Sequence, residues 1–449
     1  DSGTKVELTA VPAGEWVLAG WSGDLTSNEN PLQLTISSQK NIKAKFIKKV
    51  YPQVLYNSST LNHEWNSGWV TFKTQRIESE FWSAFTYFDY NLDGKMDVFF
   101  RGWTPNNSHP IGVNIMTSGG WKNVPNIVDV QTGKSYRKIV TADIDNDNDL
   151  DMICFVAEDP GQSIPNNNRI MGGLDIYRFV DGKFIYEEIV PYQEGMKFYF
   201  HGGVVGDVDG DGWVDLIGTG TSGGKVYLND GTGKFSNQYF EVTDVVDANP
   251  SPGTTAFALE LADLNADGKL DLMVGYARNA YFFPQNPVSE HSKYNFTSSI
   301  YFGQSEYPYF ESNAFVLDSE YAKTTIEEMK YAFNITYDYV VNDMDNDGDL
   351  DLLVYLTNDD AMYNPWDTNY LEDAALEYHE NNGDSTFTLN NDIFVNGQNK
   401  FDTGGNWFKV WDVNGDGKKE ILVETYDRLG FNAWKQNTDG KYYQTIINY

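Results

Sequence analysis

A single cysteine, Cys154, occurs in 449 residues, so no disulfide can form within the chain. It sits inside the apolar run Met152–Val156, which marks it as a small buried core residue rather than a nucleophile. Cations are scarce: 32 Lys+Arg face 65 Asp+Glu, a net charge of −33. That balance argues against nucleic acid or an anionic membrane as a partner. No stretch reaches the roughly 18 apolar residues of a membrane-spanning helix. Histidine is limited to His63, His109, His201, His291 and His379, with no metal-type His-Glu-x-x-His spacing. No Gly-x-Ser-x-Gly elbow or phosphate loop occurs either. The chain opens at Asp1 with neither Met nor a signal peptide, and we read it as a mature or trimmed form.

What the chain does have is one nine-residue stretch written six times. The cleanest copy runs from Asp207 to Asp215, with Asp207, Asp209, Asp211 and Asp215 at positions 1, 3, 5 and 9 and Gly212 at position 6. The others carry Asp89, Asn91, Asp93 and Asp97; Asp143, Asp145, Asp147 and Asp151; Asp263, Asn265, Asp267 and Asp271; Asp343, Asp345, Asp347 and Asp351; and Asp412, Asn414, Asp416 and Glu420. Alternate residues of a tight loop can turn their oxygens toward one centre. Position 7 adds a backbone carbonyl and the glycine permits the sharp turn. In the second copy Asn148 replaces that glycine, and asparagine is the next-best residue for a left-handed turn. An all-oxygen cage suits a hard cation, and calcium fits best because it accepts six to eight oxygens in loose geometry. Up to six structural calcium ions are expected. With Asp149 and Asp349, the six loops hold 23 of the acidic groups, so much of the acidity is metal-site acidity.

An EF-hand shares the opening of this pattern but needs a bidentate Glu at position 12 and flanking helices. Position 12 here is Phe100, Cys154, Gly218, Val274, Val354 or Val423, none of which has a side chain that binds calcium. The flanks, such as Leu270–Val274 and Leu350–Tyr355, are short apolar runs of β-formers. A single Asp-rich loop reads equally well as a solvated turn; six copies at matching offsets between apolar runs do not. After four of the loops comes a hairpin with Asn, Asp and Gly at its tip: 175–184, 225–235, 376–387 and 433–443. The unit is strand A, acidic loop, strand B, connection, strand C, tight turn, strand D. Four antiparallel strands at a period near 60 residues describe propeller blades.

The loops and the Asp-Leu or Glu-Ile steps that follow them resemble FG-GAP/VCBS repeats, the calcium-binding blades also found in integrin α-subunit propellers. The resemblance covers about residues 80–449. It implies that the oxygens at positions 1, 3, 5 and 9 bind calcium. Each departure from the pattern retains an oxygen ligand or a turn-former, so all six sites are expected to bind, the Asn-containing ones more weakly. Residues 1–48 differ. Gly3–Ala10, Gly20–Asp24, Asn30-Pro31 and Ala44–Phe46 resemble the divergent internalin-B-type repeat of bacterial surface proteins, which implies a small β-grasp-like module. The expected fold is therefore all-β: a β-grasp-like domain over 1–48, a short linker, and a propeller over 51–449. Six blades are favoured. A seventh depends on whether Gly68–Ile77 is a strand that closes the ring or belongs to a blade of its own.

In such a blade the A–B and C–D turns share one face. The long segments after strand B, namely 101–110, 157–172 and 357–374, together with an excursion over about 284–330, should project from the opposite face. They carry Trp103, Tyr363, Trp366, Tyr370 and the run Tyr307–Phe310. Aromatic rings stack on sugar faces, so a glycan- or protein-binding surface is expected there. Against this, aromatics form 15% of the chain and most must fill blade-to-blade packing. Extracellular calcium modules work at about 10⁻⁴–10⁻³ M, which favours a secreted or bacterial-surface location and, with no recognisable catalytic set, a monomeric binding protein. A polysaccharide lyase on a calcium-bearing propeller is the alternative; no catalytic base can be named for it.

Overall fold

The computed structural model describes residues 3–10, 16–25, 27, 31–36, 38–48, 84–88, 91, 97–101, 111–117, 120–129, 135–147, 149–159, 170–171, 173–190, 200–220, 223–241, 254–278, 298–320, 335–357, 374–401, 404–411, 418–425 and 430–448. The chain divides into two compact units, Asp1–Gln53 and Val54–Tyr449. In the first, strand Thr4–Leu8 pairs antiparallel with Leu32–Ile36, and Trp16–Gly23 pairs with Ile42–Lys48. Their alternating side chains put Leu8, Leu34, Ile42, Ala44 and Phe46 around a small core of Ala10, Trp21 and Leu32.

Among the described residues, the second unit holds six successive antiparallel four-strand sets; the second carries a short extra strand, Ile170–Met171, and the fourth and fifth are joined, with Lys400–Phe401, in one nine-stranded sheet. We number them as blades one to six, over residues 84–123, 135–190, 200–241, 254–316, 335–389 and 404–448. The first strand of each blade packs beside the first strand of the next, so the blades follow one another around a common axis as a β-propeller. Lys138 in the first strand of blade two reaches Asp338 in that of blade five at 3.4 Å; three blades apart along the chain, the two side chains meet across the middle of the ring. Blades one and six each own four strands, the last being Tyr442–Asn448. Gly68–Ile77, on which the choice between six and seven blades rests, lies outside the described residues.

The core lies between sheets. One cluster joins Phe99 and Val113 of blade one to Cys154, Tyr177 and Phe184 of blade two. Others join blades three and four, four and five, and five and six. A sheet packed on both faces needs a second strand that is apolar throughout. In Asp351–Thr357 all seven residues are buried, with the apolar run Leu352–Leu356 between a polar residue at each end. In blades two to five the first strand carries a bulge at the same place, at Arg137, His201, Phe257 and Tyr337, each six residues before its loop. Such bulges add local twist.

One expectation fails. The stretch from about 284 to 330 was placed on the face opposite the acidic loops, yet its middle lies at the acidic-loop end. Ser298–Tyr301 and Phe315–Val316 are the third and fourth strands of blade four. Residues 302–314 are thus the C–D connection, and Gly303 N–H donates to Asp271 of that blade's own acidic loop at 2.8 Å. Tyr309 and Phe310 of this connection pack in the core that includes Val208, position 2 of the loop in blade three. The turn after strand C was longer than the tight hairpins elsewhere, and length alone was misread as a B–C connection.

Candidate metal centre

The four loops of blades two to five are described almost completely, and their backbones agree. Position 4 is left-handed in each: Asn146, Gly210, Ala266 and Asn346, with φ from 56° to 77°. Position 6 is left-handed at Gly212, Gly268 and Gly348. These turns are braced by side chains accepting from the backbone two to five residues on. Asp207 accepts from Gly210 N–H (2.8 Å) and Gly212 N–H (2.9 Å), Asp209 from Asp211 N–H (3.1 Å), and Asp211 from Trp213 N–H (2.9 Å). In blade four, Asp263 accepts from Asp267 and Gly268 N–H at 3.0 and 2.9 Å.

This bracing gathers carboxylates. One oxygen each from Asp143, Asp145 and Asp147 lie within 4.8 Å of one another, as do those of Asp207, Asp209 and Asp215, and of Asp343, Asp345 and Asp347. Calcium-sized cations hold oxygens at about 2.3–2.6 Å, so oxygens across one ion are separated by up to roughly 5 Å. The donor set fits. Oδ1 of Asp145, Asp149, Asp343 and Asp349 is buried with no hydrogen-bond partner among the described residues; such anionic oxygens are costly unless a cation meets them. Burial, together with neighbouring carboxylates, pushes the Asp149 carboxyl up to about 7 and that of Asp349 to about 6. Asp149 and Asp349 occupy position 7, where only a backbone carbonyl was expected, and they make the loops of blades two and five the most acidic.

Position 9 has a second task. Each of these residues opens strand B and is buried: Asp97, Asp151, Asp215, Asp271, Asp351 and Glu420 are at most 2% exposed. Asp215 accepts from Val208 N–H at 2.9 Å with one oxygen and from Asn229 N–H at 2.9 Å with the other. Asp271 does the same with Leu264 and Gly303, and Asp351 with Met344 and Asn381. Asp151 accepts from Phe179 N–H at 2.8 Å and, more loosely, from Ile144 N–H at 3.4 Å. The carboxylate thus staples position 2 of the loop to the end of strand C. Desolvation pushes Asp151 and Asp215 up to about 8 and Asp271 to about 6.

Cations from the chain touch several loops. Arg178 donates to Asp145 at 3.0 Å and to the Gly233 carbonyl of blade three at 2.6 Å. Lys269, at position 7 of its own loop, donates to Asp267 at 2.8 Å. With Asn265 at position 3, this leaves the loop of blade four the least negative of the four. Lys419 of blade six donates to the Asp343 carbonyl at 3.1 Å.

Of the ligands expected from sequence, the structure gathers Asp143, Asp145 and Asp147 in blade two, Asp207, Asp209 and Asp215 in blade three, and Asp343, Asp345 and Asp347 in blade five; Asp151, Asp211, Asp351 and the blade-four residues Asp263, Asn265, Asp267 and Asp271 lie in the same loops outside those three groups. In blade one Asn91 is exposed and Asp97 buried, while Asp89 and Asp93 lie outside the described residues. In blade six Glu420 is buried, and Asp412, Asn414 and Asp416 lie outside. Trp103, Tyr363, Trp366 and Tyr370 lie outside as well. Sequence reading missed Asn229 and Asn381, which it took only for turn residues. Their signal was an asparagine at the end of strand C in two repeats.

Residues 61–154 and 207–274 match the family model for the FG-GAP-like repeat, and residues 1–50 match that of the divergent InlB B-repeat domain. Cartilage acidic protein 1 of Homo sapiens is 30% identical over 138 residues, which is 29% of this chain and 19% of that protein. The chain therefore matches about a fifth of that relative's length. Among solved structures, an Agrocybe aegerita lectin that recognises non-reducing terminal N-acetylglucosamine aligns over 68% of this chain and 64% of its own, at 16% identity and a TM-score of 0.41. A Bacteroides uniformis protein described as a 6-phosphogluconolactonase aligns over 82% and 85%, at 10% identity and a TM-score of 0.46. The successive antiparallel blades make this a β-propeller, part of which matches the FG-GAP-like repeat, with a match to the divergent InlB B-repeat domain ahead of it.

Proposed function

We propose that this chain is a calcium-stabilised binding protein of the bacterial cell surface or exterior, and that its propeller recognises a glycan. Calcium is the chemical match to clustered carboxylates with a flexible oxygen set. Bound there, it would be held by the oxygens at positions 1, 3 and 5, with position 7, in blades two and five, and by those at positions 1, 3 and 9 in blade three, and it would neutralise carboxylates that otherwise repel. Its role is structural: it fixes the loops and the C–D turns beside them as a rigid rim.

The observation that carries the glycan reading is the aromatic pair on that rim. Tyr307 is 55% exposed, and its ring stands edge-on to Tyr309 at 6.2 Å. Phe310, only 1% exposed, anchors the segment from below. An exposed tyrosine face on an anchored loop suits the apolar face of a sugar ring, and loops on rigid scaffolds are common binding sites. The binding surface is thus proposed at the acidic-loop end, not the opposite end.

Electrophoresis through gels holding single polysaccharides, in millimolar calcium, tests this. Retardation by one polymer, lost in Tyr307→Ala, is the expected result. Migration unchanged by every polymer would overturn the glycan reading in favour of a partner protein, and shortened polymer chains would favour a lyase.

A further inference from the structure

Asn229 and Asn381 do more than end a strand. Asn229 N–H donates to Asp215, in the loop of its own blade three, at 2.9 Å. Its side-chain amide donates to the Ile144 carbonyl at 2.8 Å and to the Val214 carbonyl at 3.0 Å. Ile144 is position 2 of the loop in blade two. One buried residue thus holds two neighbouring acidic loops at once. Its own carbonyl oxygen is used too, accepting from Gly231 and Gly233 N–H, both at 3.1 Å.

Asn381 repeats the arrangement one pair further round. Its N–H donates to Asp351 in blade five at 2.9 Å, and its amide reaches the Leu264 carbonyl, position 2 of the loop in blade four, at 2.8 Å. Where blades two and four present the equivalent position, the residues are Phe179 and Gly303. Neither side chain can donate a hydrogen bond. The asparagine bridge therefore joins loops two to three and four to five, and skips three to four.

We propose that Asn229 and Asn381 couple cation binding between the paired loops, so that an ion in one loop of a pair raises the affinity of the other. The inference rests on the calcium reading of the loops. The physical path is short. Filling the loop of blade two fixes its backbone, including the Ile144 carbonyl. That carbonyl holds the Asn229 amide, and the Asn229 backbone orients Asp215 toward its own cluster. An order imposed on one loop is then already present when the second ion arrives, which is positive coupling. Arg178 reinforces the first pair through Asp145 and Gly233.

Trp213 supplies a local readout, being the only tryptophan within the six loops. Terbium(III) titrated into the calcium-free full chain should emit when it enters the loop of blade three, and the part of the emission lost in Trp213→Phe reports that loop apart from Trp411, which adjoins the loop of blade six. Asp147→Ala disables the loop of blade two at an exposed side chain. It should weaken terbium binding at blade three by about fivefold or more, the lower end of ordinary coupling. In an Asn229→Gly background, which copies the glycine blade four carries naturally, the same Asp147→Ala change should have a clearly smaller effect. An equal effect in both backgrounds would overturn the coupling and leave only the lost attraction of the Asp147 carboxylate for the cation. No effect of Asp147→Ala in the parent chain would overturn it too, whether or not the glycine variant folds. Absence of any Trp213-sensitised emission would instead sink the metal reading beneath it.

Discussion

Position 4 of the loops shows how much one residue can cost. Asn146, Gly210 and Asn346 tolerate a left-handed backbone, but blade four places Ala266 there at φ 56°. A Cβ in that region costs roughly 1–2 kcal/mol, while glycine adds about 0.4–1 kcal/mol of unfolded-state entropy. Ala266→Gly should therefore raise stability by up to about 1 kcal/mol, read as a higher denaturant midpoint; a lower midpoint would contradict the loop geometry. The aspartates divide by task in the same way. Asp215→Ala strips two buried N–H groups of their acceptor, at about 1–3 kcal/mol each, so it should destabilise the chain with calcium or without it. Asp147→Ala removes an exposed carboxylate of the blade-two cluster, so, if that cluster holds calcium as proposed, its cost should show in calcium and largely vanish in chelator. The carboxylate pattern was legible in the sequence because each role needs an oxygen. The split of roles was not, since ligand and staple use the same residue type.

Elements carried the clearest signals. Apolar runs after the loops become second strands, buried throughout in blade five, and Asn/Asp/Gly tips become hairpins, because each depends on local chemistry. Bulges at Arg137, His201, Phe257 and Tyr337 left no local signature, because sheet curvature demands them. The C–D connection of blade four was misplaced since a length of 13 residues, 302–314, reads the same at either end of a blade. Glycines in first strands answer to a neighbouring blade. A Cβ on Gly203 would sit 2.4 Å from the Phe155 ring of blade two. Gly203→Ala should cost about 1–3 kcal/mol by overpacking, with or without calcium. A neutral result by thermal melting would mean that these two blades pack less closely than described.

At the scale of the whole molecule, the crowded carboxylates set how stability responds to pH and metal. Without an ion, burial holds Asp151 and Asp215 up at about 8, Asp149 at about 7, and Asp271 and Asp349 at about 6. A raised carboxyl value means that the folded chain binds more protons than the unfolded one. Stability must then fall as pH rises between about 4, the unfolded value, and about 8. In chelator the melting temperature should rise as pH is lowered from 8 toward 5. Saturating calcium should flatten that slope, because the ion displaces the protons. A chelated chain that loses stability over the same descent would contradict the buried-carboxylate picture. Propeller architecture was legible from six loops at matched offsets. Which loops are joined was not, because Asn229 and Asn381 reach their partners 85 and 117 residues away.

The most direct measurement is calorimetric melting of the full chain at pH 7.5 in chelator and in 10 mM calcium. Each site filled at a hundredfold excess over its Kd adds about 2.7 kcal/mol. Several such sites should raise the transition of the propeller unit by at least about 5 °C. A melting temperature identical in the two conditions would contradict the claim that these loops are calcium sites.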